Sequence, residues 1–224
     1  MDGALTELIA ANVTFVGTHF AMSHPLRGPM VKAFGKLGFQ IVYSLISLAA
    51  FVWIYFAFKA APAGGLSGSG EIGWIVATLL TIPALVLFSG SYIGNPALPT
   101  PAAEQQARAE PKGVFTVTRH PMMWGFAIWA LSHIVLLWSW RTMIVAFAIG
   151  FLALVGAHMQ DRKKEVLMGE AWAEWESKTS YWPRWGKLFS AGALPWTLGL
   201  ILFVFLSWLH MPVGGIPAGI WRWF

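Results

Sequence analysis

Residues 118–125, Thr118-Arg119-His120-Pro121-Met122-Met123-Trp124-Gly125, stand at the head of an apolar run that ends at Trp140 and carries a second histidine, His133. A cation and an imidazole at a membrane interface, followed by an imidazole inside an apolar helix, are costly to place in a bilayer and often mark functional positions. The stretch therefore predicts a membrane helix that begins near Pro121, with His133 about halfway along it.

The composition of the chain is typical of an integral membrane protein. Of its 224 residues, 57% are hydrophobic, 15% are aromatic and 11% are charged, which is far from the mixture of a soluble domain. The net charge of +5 would suit nucleic acid, but no basic stripe is interleaved with aromatic residues, so we expect no nucleic-acid partner. The absence of cysteine excludes disulfides and thiolate metal sites, which leaves histidine as the main candidate ligand.

Charge-free apolar runs predict the membrane spans, since about 20 apolar residues are needed to cross a bilayer. Six runs meet this length, at Leu8–Leu26, Leu37–Phe58, Ile72–Leu98, Pro121–Trp140, Thr142–Met159 and Leu188–Trp221. We predict an all-α, polytopic integral membrane helical bundle with about six transmembrane helices, which forms a single domain over residues 1–224. The charged and aromatic stretch Met168–Trp185 predicts an additional amphipathic helix that lies on the cytoplasmic surface.

Lysine and arginine cluster on one side of the predicted bundle. The connections after the first, third and fifth runs contain 12 of the 15 lysine and arginine residues. By the positive-inside rule these connections are cytoplasmic, so we expect both termini on the non-cytoplasmic side, in a bacterial inner membrane. Arg119 and Arg162 then share the cytoplasmic face.

Two of the six histidines have the spacing expected of ligands for one metal centre. His120 and His133 are thirteen residues apart, about 20 Å along a helix, and cannot bind one iron atom. His19 and His133 lie on different predicted helices at depths that agree within about 6 Å. One interpretation is a haem held between two axial imidazoles at His19 and His133. The alternative is that each imidazole hydrogen-bonds a neighbouring serine, asparagine or backbone carbonyl.

The predicted cofactor site also includes residues at its cytoplasmic edge. Arg119, together with Arg162 or Lys163, could pair with haem propionates, and His120 and Trp124 lie close to Arg119 in the sequence. The alternative for Arg119 and His120 is an interfacial cap, in which the arginine reaches the headgroups and Pro121 opens the helix. Both interpretations stay open at this point.

Several ordered motifs resemble the NnrU family of membrane proteins. They cover the chain from about Val13 to Pro183: Phe15-Val16-Gly17-Thr18-His19-Phe20, Tyr43-Ser44-Leu45-Ile46-Ser47-Leu48, Thr118-Arg119-His120-Pro121, Trp129-Ala130-Leu131-Ser132-His133 and Gln160-Asp161-Arg162-Lys163-Lys164. The family includes zeta-carotene isomerases, which hold haem b and isomerise a cis double bond. Bacterial members are associated with nitrogen-oxide metabolism.

The resemblance implies haem b as cofactor, with His19 and His133 as the metal ligands. It also implies a hydrophobic small-molecule substrate and a role in carotenoid-type cis-trans isomerisation or in nitrogen-oxide metabolism. A further histidine of the isomerases matches Lys59 here, and this departure weakens the expectation of a mechanism in which iron ligands are exchanged.

Two other functions are compatible with the sequence. The Arg119-His120-Pro121 motif, followed by the acidic and aromatic segment near Trp172, also resembles isoprenylcysteine and phospholipid methyltransferases. Those enzymes bind S-adenosylmethionine, whose carboxylate Arg119 or His120 could pair with. In the second alternative the chain is a non-catalytic accessory or assembly factor of a membrane complex.

Overall fold

Helices account for most of the computed structural model, which describes residues 3–224. Eight α-helices follow one another along this part of the chain: α1 (Gly3–Ser23), α2 (Arg27–Ala60), α3 (Gly70–Gly90), α4 (Ala103–Arg108), α5 (Pro121–Ile134), α6 (Trp140–Met168), α7 (Glu170–Lys178) and α8 (Ala193–Gly214). Short 3-10 turns lie at Gly113–Thr116, Trp185–Ala191 and Gly219–Arg222. No β-strand occurs within residues 3–224, so the all-α prediction is confirmed.

Each of the six predicted spans contains an α-helix, but within residues 3–224 four helices have both the length and the hydropathy of a membrane span. These are α2, α3, α6 and α8. Helix α1 is 21 residues long, but polar side chains such as Asn12 and His19 lower its mean hydropathy. Helix α5 has 14 residues, about 21 Å, against a hydrocarbon core of about 30 Å. The structure therefore shows a helical membrane protein with four candidate spans and does not confirm a count of six.

The longer helices pack side by side in the order α2, α1, α6, α5, α3, α8. Helix α3 lies between α5 and α8, and glycines on both of its neighbours allow a close approach. A Cβ atom on Gly125 would lie 2.8 Å from the carbonyl oxygen of Ala84, and one on Gly199 would lie 2.9 Å from backbone atoms of Val86. Small residues at such contacts let membrane helices pack closely.

We expect Gly199→Val to destabilise the protein by about 1–3 kcal/mol, the usual cost of overpacking a close contact. The new side chain would meet the backbone of Val86, which cannot move without displacing α3 from α8. Thermal unfolding of the detergent-purified protein, followed by circular dichroism, measures the loss. Gly17→Val is the matched control, because no atom lies within 4 Å of a Cβ on Gly17. Equal effects of the two substitutions would contradict the packing described here.

Helix α5 ends at Ile134, six residues before the end of its apolar run. Beyond it the chain turns through Leu137, whose φ is 45°, and α6 begins behind the N-cap Ser139. The turn is held by residues that precede α3, since Gly68 and Ser69 donate backbone hydrogen bonds to the carbonyls of Leu137 and Leu136. His133 consequently lies one residue before the end of its helix, and the expectation that it lies about halfway along was wrong.

Helix α7 occupies the stretch where an amphipathic helix was predicted, but its apolar face packs on protein. Trp172 and Trp175 are fully buried, in a core that also contains Phe115 and residues of α3. The chain around α7 is joined to the segment before α5 by backbone hydrogen bonds, from Arg119 to the carbonyl of Ser180 and from Arg184 to that of Val117. The amphipathic helix was therefore predicted correctly, but its apolar face packs on the protein core and not on the membrane surface.

Candidate functional site

A densely bonded polar group surrounds Arg119, just before α5. The Arg119 guanidinium donates hydrogen bonds from Nε and Nη2 to the carboxylate of Asp161 on α6, at 2.7–3.1 Å. Its Nη2 also lies 3.2 Å from Oε1 of Glu176 on α7. The Asp161 side chain is 3% exposed, so its pair with Arg119 is largely buried, and together with Glu176 it joins three segments at one end of the bundle.

His120 completes this group, which we call the Arg119 cluster: Arg119, His120, Gln160, Asp161 and Glu176. The imidazole is buried, with Nε2 at 2.9 Å from Oδ1 of Asp161 and Nδ1 at 3.3 Å from Oε1 of Gln160. The Asp161 oxygen lies off the direction of the ring N–H, so this close contact is not a linear hydrogen bond.

The surroundings of Glu176 alter its acidity. Partial burial raises the pKa of the Glu176 carboxyl above its ordinary value, and the Asp161 carboxylate raises it further, while Arg119 opposes both. Two carboxylates therefore compete for one guanidinium, and Asp161, with the shorter contacts, holds it more tightly.

A small cavity adjoins the cluster. Its volume is about 40 Å³, and it is lined by Asn95, Ala97, Leu98, Arg119, His120, Pro121, Met122, Met123 and Gln160. A space of this size holds about one water molecule. The guanidinium of Arg119 already pairs with two carboxylates of the protein. We therefore interpret the cluster as an ion-pair network that holds the start of α5 against α6 and α7, rather than as a site for a haem propionate or for the carboxylate of S-adenosylmethionine.

The two other residues predicted at this edge are separate from the cluster. Trp124 donates from its indole nitrogen to the carbonyl of Tyr181 at 2.8 Å and packs against the ring of Trp182. Arg162 is exposed and pairs with Glu165 on its own helix at 2.9 Å. Trp124 thus anchors α5 to the segment after α7, and Arg162 forms its ion pair with Glu165 on α6.

The predicted ligands His19 and His133 have the same local geometry on their own helices. Nδ1 of His19 lies 2.7 Å from the carbonyl oxygen of Phe15, and Nδ1 of His133 lies 2.9 Å from that of Trp129. A carbonyl can only accept, so Nδ1 carries the proton and Nε2 is left with a free lone pair. The hydrogen bond to a backbone carbonyl, which was the alternative to metal binding, is therefore formed by Nδ1 of each ring. Nε2 remains available as a ligand.

The structure gives these two histidines different neighbours. The His19 ring contacts Phe15 on its own helix and Tyr43 on α2. The His133 ring contacts Trp129 on its own helix and His210 on α8, with a distance of 6.3 Å between the imidazole centres. The sequence offered no reason to assign a function to His210. It is 77 residues from His133 along the chain, so their contact could not be predicted.

The chain matches one protein family along nearly its whole length. The model of the NnrU protein family matches residues 7–218. This chain belongs to the NnrU protein family. The membership confirms the resemblance carried by the Arg119-His120-Pro121 motif and by the segments around His19 and His133.

The NnrU chain is also similar to an enzyme of known function. It is 26% identical over 194 residues to the chloroplastic 15-cis-zeta-carotene isomerase of Zea mays, a match that covers 81% of this chain and 50% of the relative. The chain thus spans about half the length of the relative that it matches. No solved structure matches it. The apolar helices support a membrane location, whereas the bacterial inner membrane and the side of the termini stay predictions.

Proposed function

We propose that this NnrU protein is a membrane isomerase that acts on the cis double bond of a hydrophobic polyene with the help of haem b. The similarity to a carotene isomerase supports the reaction class. The observation that supports the cofactor is that Nδ1 of both His19 and His133 is bonded to a backbone carbonyl, which leaves each Nε2 free to bind a metal.

The chemistry of the two side chains suits haem iron. Axial ligation of haem requires one neutral imidazole nitrogen on each side of the ring, and both His19 and His133 can supply one. Hydrogen bonds from Nδ1–H to Phe15 and Trp129 fix the orientation of the two rings and make Nε2 more basic. Haem b, when bound, supplies an iron centre that can accept and return one electron.

The apolar surface of the helices supports a hydrophobic substrate. A polyene dissolved in the bilayer can reach α5 and α8 from the side without passing through water. The chain's own residues thus orient the cofactor and admit an apolar substrate.

An absorption spectrum of the protein tests this proposal. We expect the detergent-purified protein, expressed with sufficient haem, to show a Soret band that shifts on reduction and is lost in His133→Ala. His24→Ala is the control, because that residue lies at the turn after α1 and is not a predicted ligand. Conversion of a cis-polyene in lipid vesicles, followed by chromatography, tests the reaction itself.

The absence of a Soret band from the unaltered protein would overturn the haem proposal. Binding of S-adenosylmethionine to such a haem-free protein in lipid would instead support the methyltransferase alternative. If neither ligand binds and the protein co-purifies with a membrane complex, the accessory role becomes the explanation that fits.

A further inference from the structure

Basic side chains meet where the turn after α1 lies against the last turns of α6. The two helices are in contact at Phe20, whose ring centre is 6.1 Å from that of Phe151 and whose ring would lie 4.0 Å from a Cβ atom on Gly156. Lys163 follows Gly156 by seven residues, or about two helical turns, and so lies on the same side of α6. Arg27 follows Phe20 by the same number of residues, just beyond the turn.

The charges of these side chains act on one another. The positive charge of Lys163 acts on the His24 imidazole in the turn after α1, and that of Arg27 acts on both Lys163 and Lys164. Arg27 and Lys163 are half-buried, and Lys164 is 8% exposed. We call Arg27, Lys163 and Lys164 the cationic group. It joins the start of α2 to the end of α6.

A bend in α2 holds Arg27 in this position. Gly35 has a φ of 71° and interrupts the helix, a conformation that glycine adopts without strain. The Arg27 guanidinium lies 5.8 Å from the centre of the Phe39 ring, although twelve residues of a straight helix would separate the two positions by about 18 Å. The bend therefore folds the first segment of α2 back over the end of the bundle.

No carboxylate neutralises the cationic group. Within residues 3–224, none of its three side chains forms an ion pair. The two carboxylates of α6 already have partners, since Asp161 pairs with Arg119 and Glu165 with Arg162. Residues 8–70, which include the turn and all of α2, contain neither aspartate nor glutamate.

Lys164 shows how little compensation the group receives from the protein. Its Nζ donates a hydrogen bond to the carbonyl oxygen of Pro96 at 3.1 Å, and the Trp172 ring centre lies 6.0 Å from Nζ. A carbonyl satisfies the hydrogen bond but does not cancel the charge. Because buried or half-buried charges are costly unless they are paired, the cationic group is suited to an anion from outside the chain.

The cationic group lies at the level expected of lipid headgroups. Arg27 directly follows the first apolar run, and Lys163 lies four residues, or about 6 Å, beyond Met159, where the fifth apolar run ends. Next to this end of the bundle, α2 exposes the apolar side chains of Leu37 and Ile41. An anion with acyl chains would thus find both a charged site and an apolar surface.

We propose that Arg27 and Lys163 bind the phosphate of an anionic phospholipid between the turn after α1 and the end of α6. A guanidinium and an ammonium both donate charge-assisted hydrogen bonds to phosphate oxygens, and basic pockets between membrane helices bind lipid headgroups. Lys164 adds positive charge from behind the site. The bound phosphate relieves the repulsion among the three cations. This lipid site does not depend on haem or on isomerase activity.

Binding of phosphatidylglycerol and of phosphatidylcholine to the detergent-purified full chain, measured by native mass spectrometry, tests this inference. We expect at least about a tenfold preference for phosphatidylglycerol, and Arg27→Gln and Lys163→Gln should each weaken its binding about fivefold. Lys163→Arg keeps the charge and should keep the preference. Arg162→Gln is the matched control, because it removes the same charge one residue away from an exposed side chain that is already paired with Glu165.

The unfolding temperature separates lipid binding from a role in packing. Phosphatidylglycerol should raise the unfolding temperature of the unaltered protein but not that of Lys163→Gln, since a ligand stabilises only a protein that binds it. In phosphatidylcholine alone, Lys163→Gln should unfold at the same or a higher temperature, because one repelling charge has been removed. A lower temperature there would show that Lys163 stabilises the fold directly and would contradict the proposal.

Three other results would overturn the lipid site. The first is equal binding of the two lipids, or phosphatidylglycerol binding that both glutamine variants leave unchanged. The second is displacement of phosphatidylglycerol by an equal concentration of glycerol 3-phosphate, which would indicate a site for a soluble phosphate. The third is loss of the Soret band from Lys163→Gln in phosphatidylcholine alone, which would assign the cations to haem propionates and leave the proposed function standing.

Discussion

Replacing Asp161 with alanine is expected to lower the free energy of unfolding by about 3–5 kcal/mol, the cost of removing one partner of a buried ion pair. The Asp161 carboxylate accepts hydrogen bonds from Arg119 and lies 2.9 Å from His120. Without it, a guanidinium that is 13% exposed keeps one carboxylate, that of Glu176 at 3.2 Å. Thermal or denaturant unfolding in detergent, followed by circular dichroism, measures the loss.

Glu165→Gln is the matched control for this prediction. Glu165 lies one helical turn further along α6, and its partner Arg162 is largely exposed. An exposed pair of this kind contributes about 0–1 kcal/mol, so the control should unfold almost as the unaltered protein does. If Asp161→Ala lowered the free energy of unfolding as little as Glu165→Gln does, the Arg119 cluster would not stabilise the packing of α5, α6 and α7.

Replacing Trp172 with alanine is expected to cost about 3–5 kcal/mol, because the substitution leaves a large cavity in a packed core. The Trp172 side chain is completely buried among residues of α3, α7 and the segment before α5. Its indole nitrogen has no hydrogen-bond partner among residues 3–224, so we attribute its contribution mainly to packing. A fall in unfolding temperature, together with faster proteolysis between α6 and α8, would be the measurable result.

Trp185→Ala is the matched control for this prediction. It distinguishes the loss of packing in this core from a general effect of removing a tryptophan at the membrane interface. Trp185 is 49% exposed, and its loss should cost less than about 1 kcal/mol. A small effect of Trp172→Ala, comparable to that of Trp185→Ala, would show that α7 lies on the membrane surface, as the sequence pattern suggested, and not on a protein core.

The elements that the sequence predicted correctly are those encoded by local patterns. Apolar runs of about 20 residues indicated where the long helices lie, and Pro121 marked the first turn of α5, because proline fits that position without losing a hydrogen bond. Helix α8 ends at Gly214, and the cap residue Gly215 has a φ of 66°, which suits glycine. Ordered motifs likewise identified the family before any contact was known.

The end of α5 could not be read from the sequence in the same way. No glycine or proline lies between Ile134 and Trp140, so no local signal separates the helical part of that run from the turn. The turn forms because residues 68 and 69, far away in the chain, supply hydrogen-bond donors to it. The position of His133 near a helix end follows from that long-range contact.

The sequence by itself determined the class of the protein, its family and the residue types available for chemistry, because composition and short motifs are properties of neighbouring residues. The tertiary structure decided which of those residues meet. Arg119 pairs with Asp161, 42 positions away. The ring of His133 contacts that of His210 on α8, whereas the ring of His19 contacts that of Tyr43 on α2. Such pairings depend on how helices pack, and helix packing is set by close approaches such as that of Gly199 to α3, which no local pattern encodes.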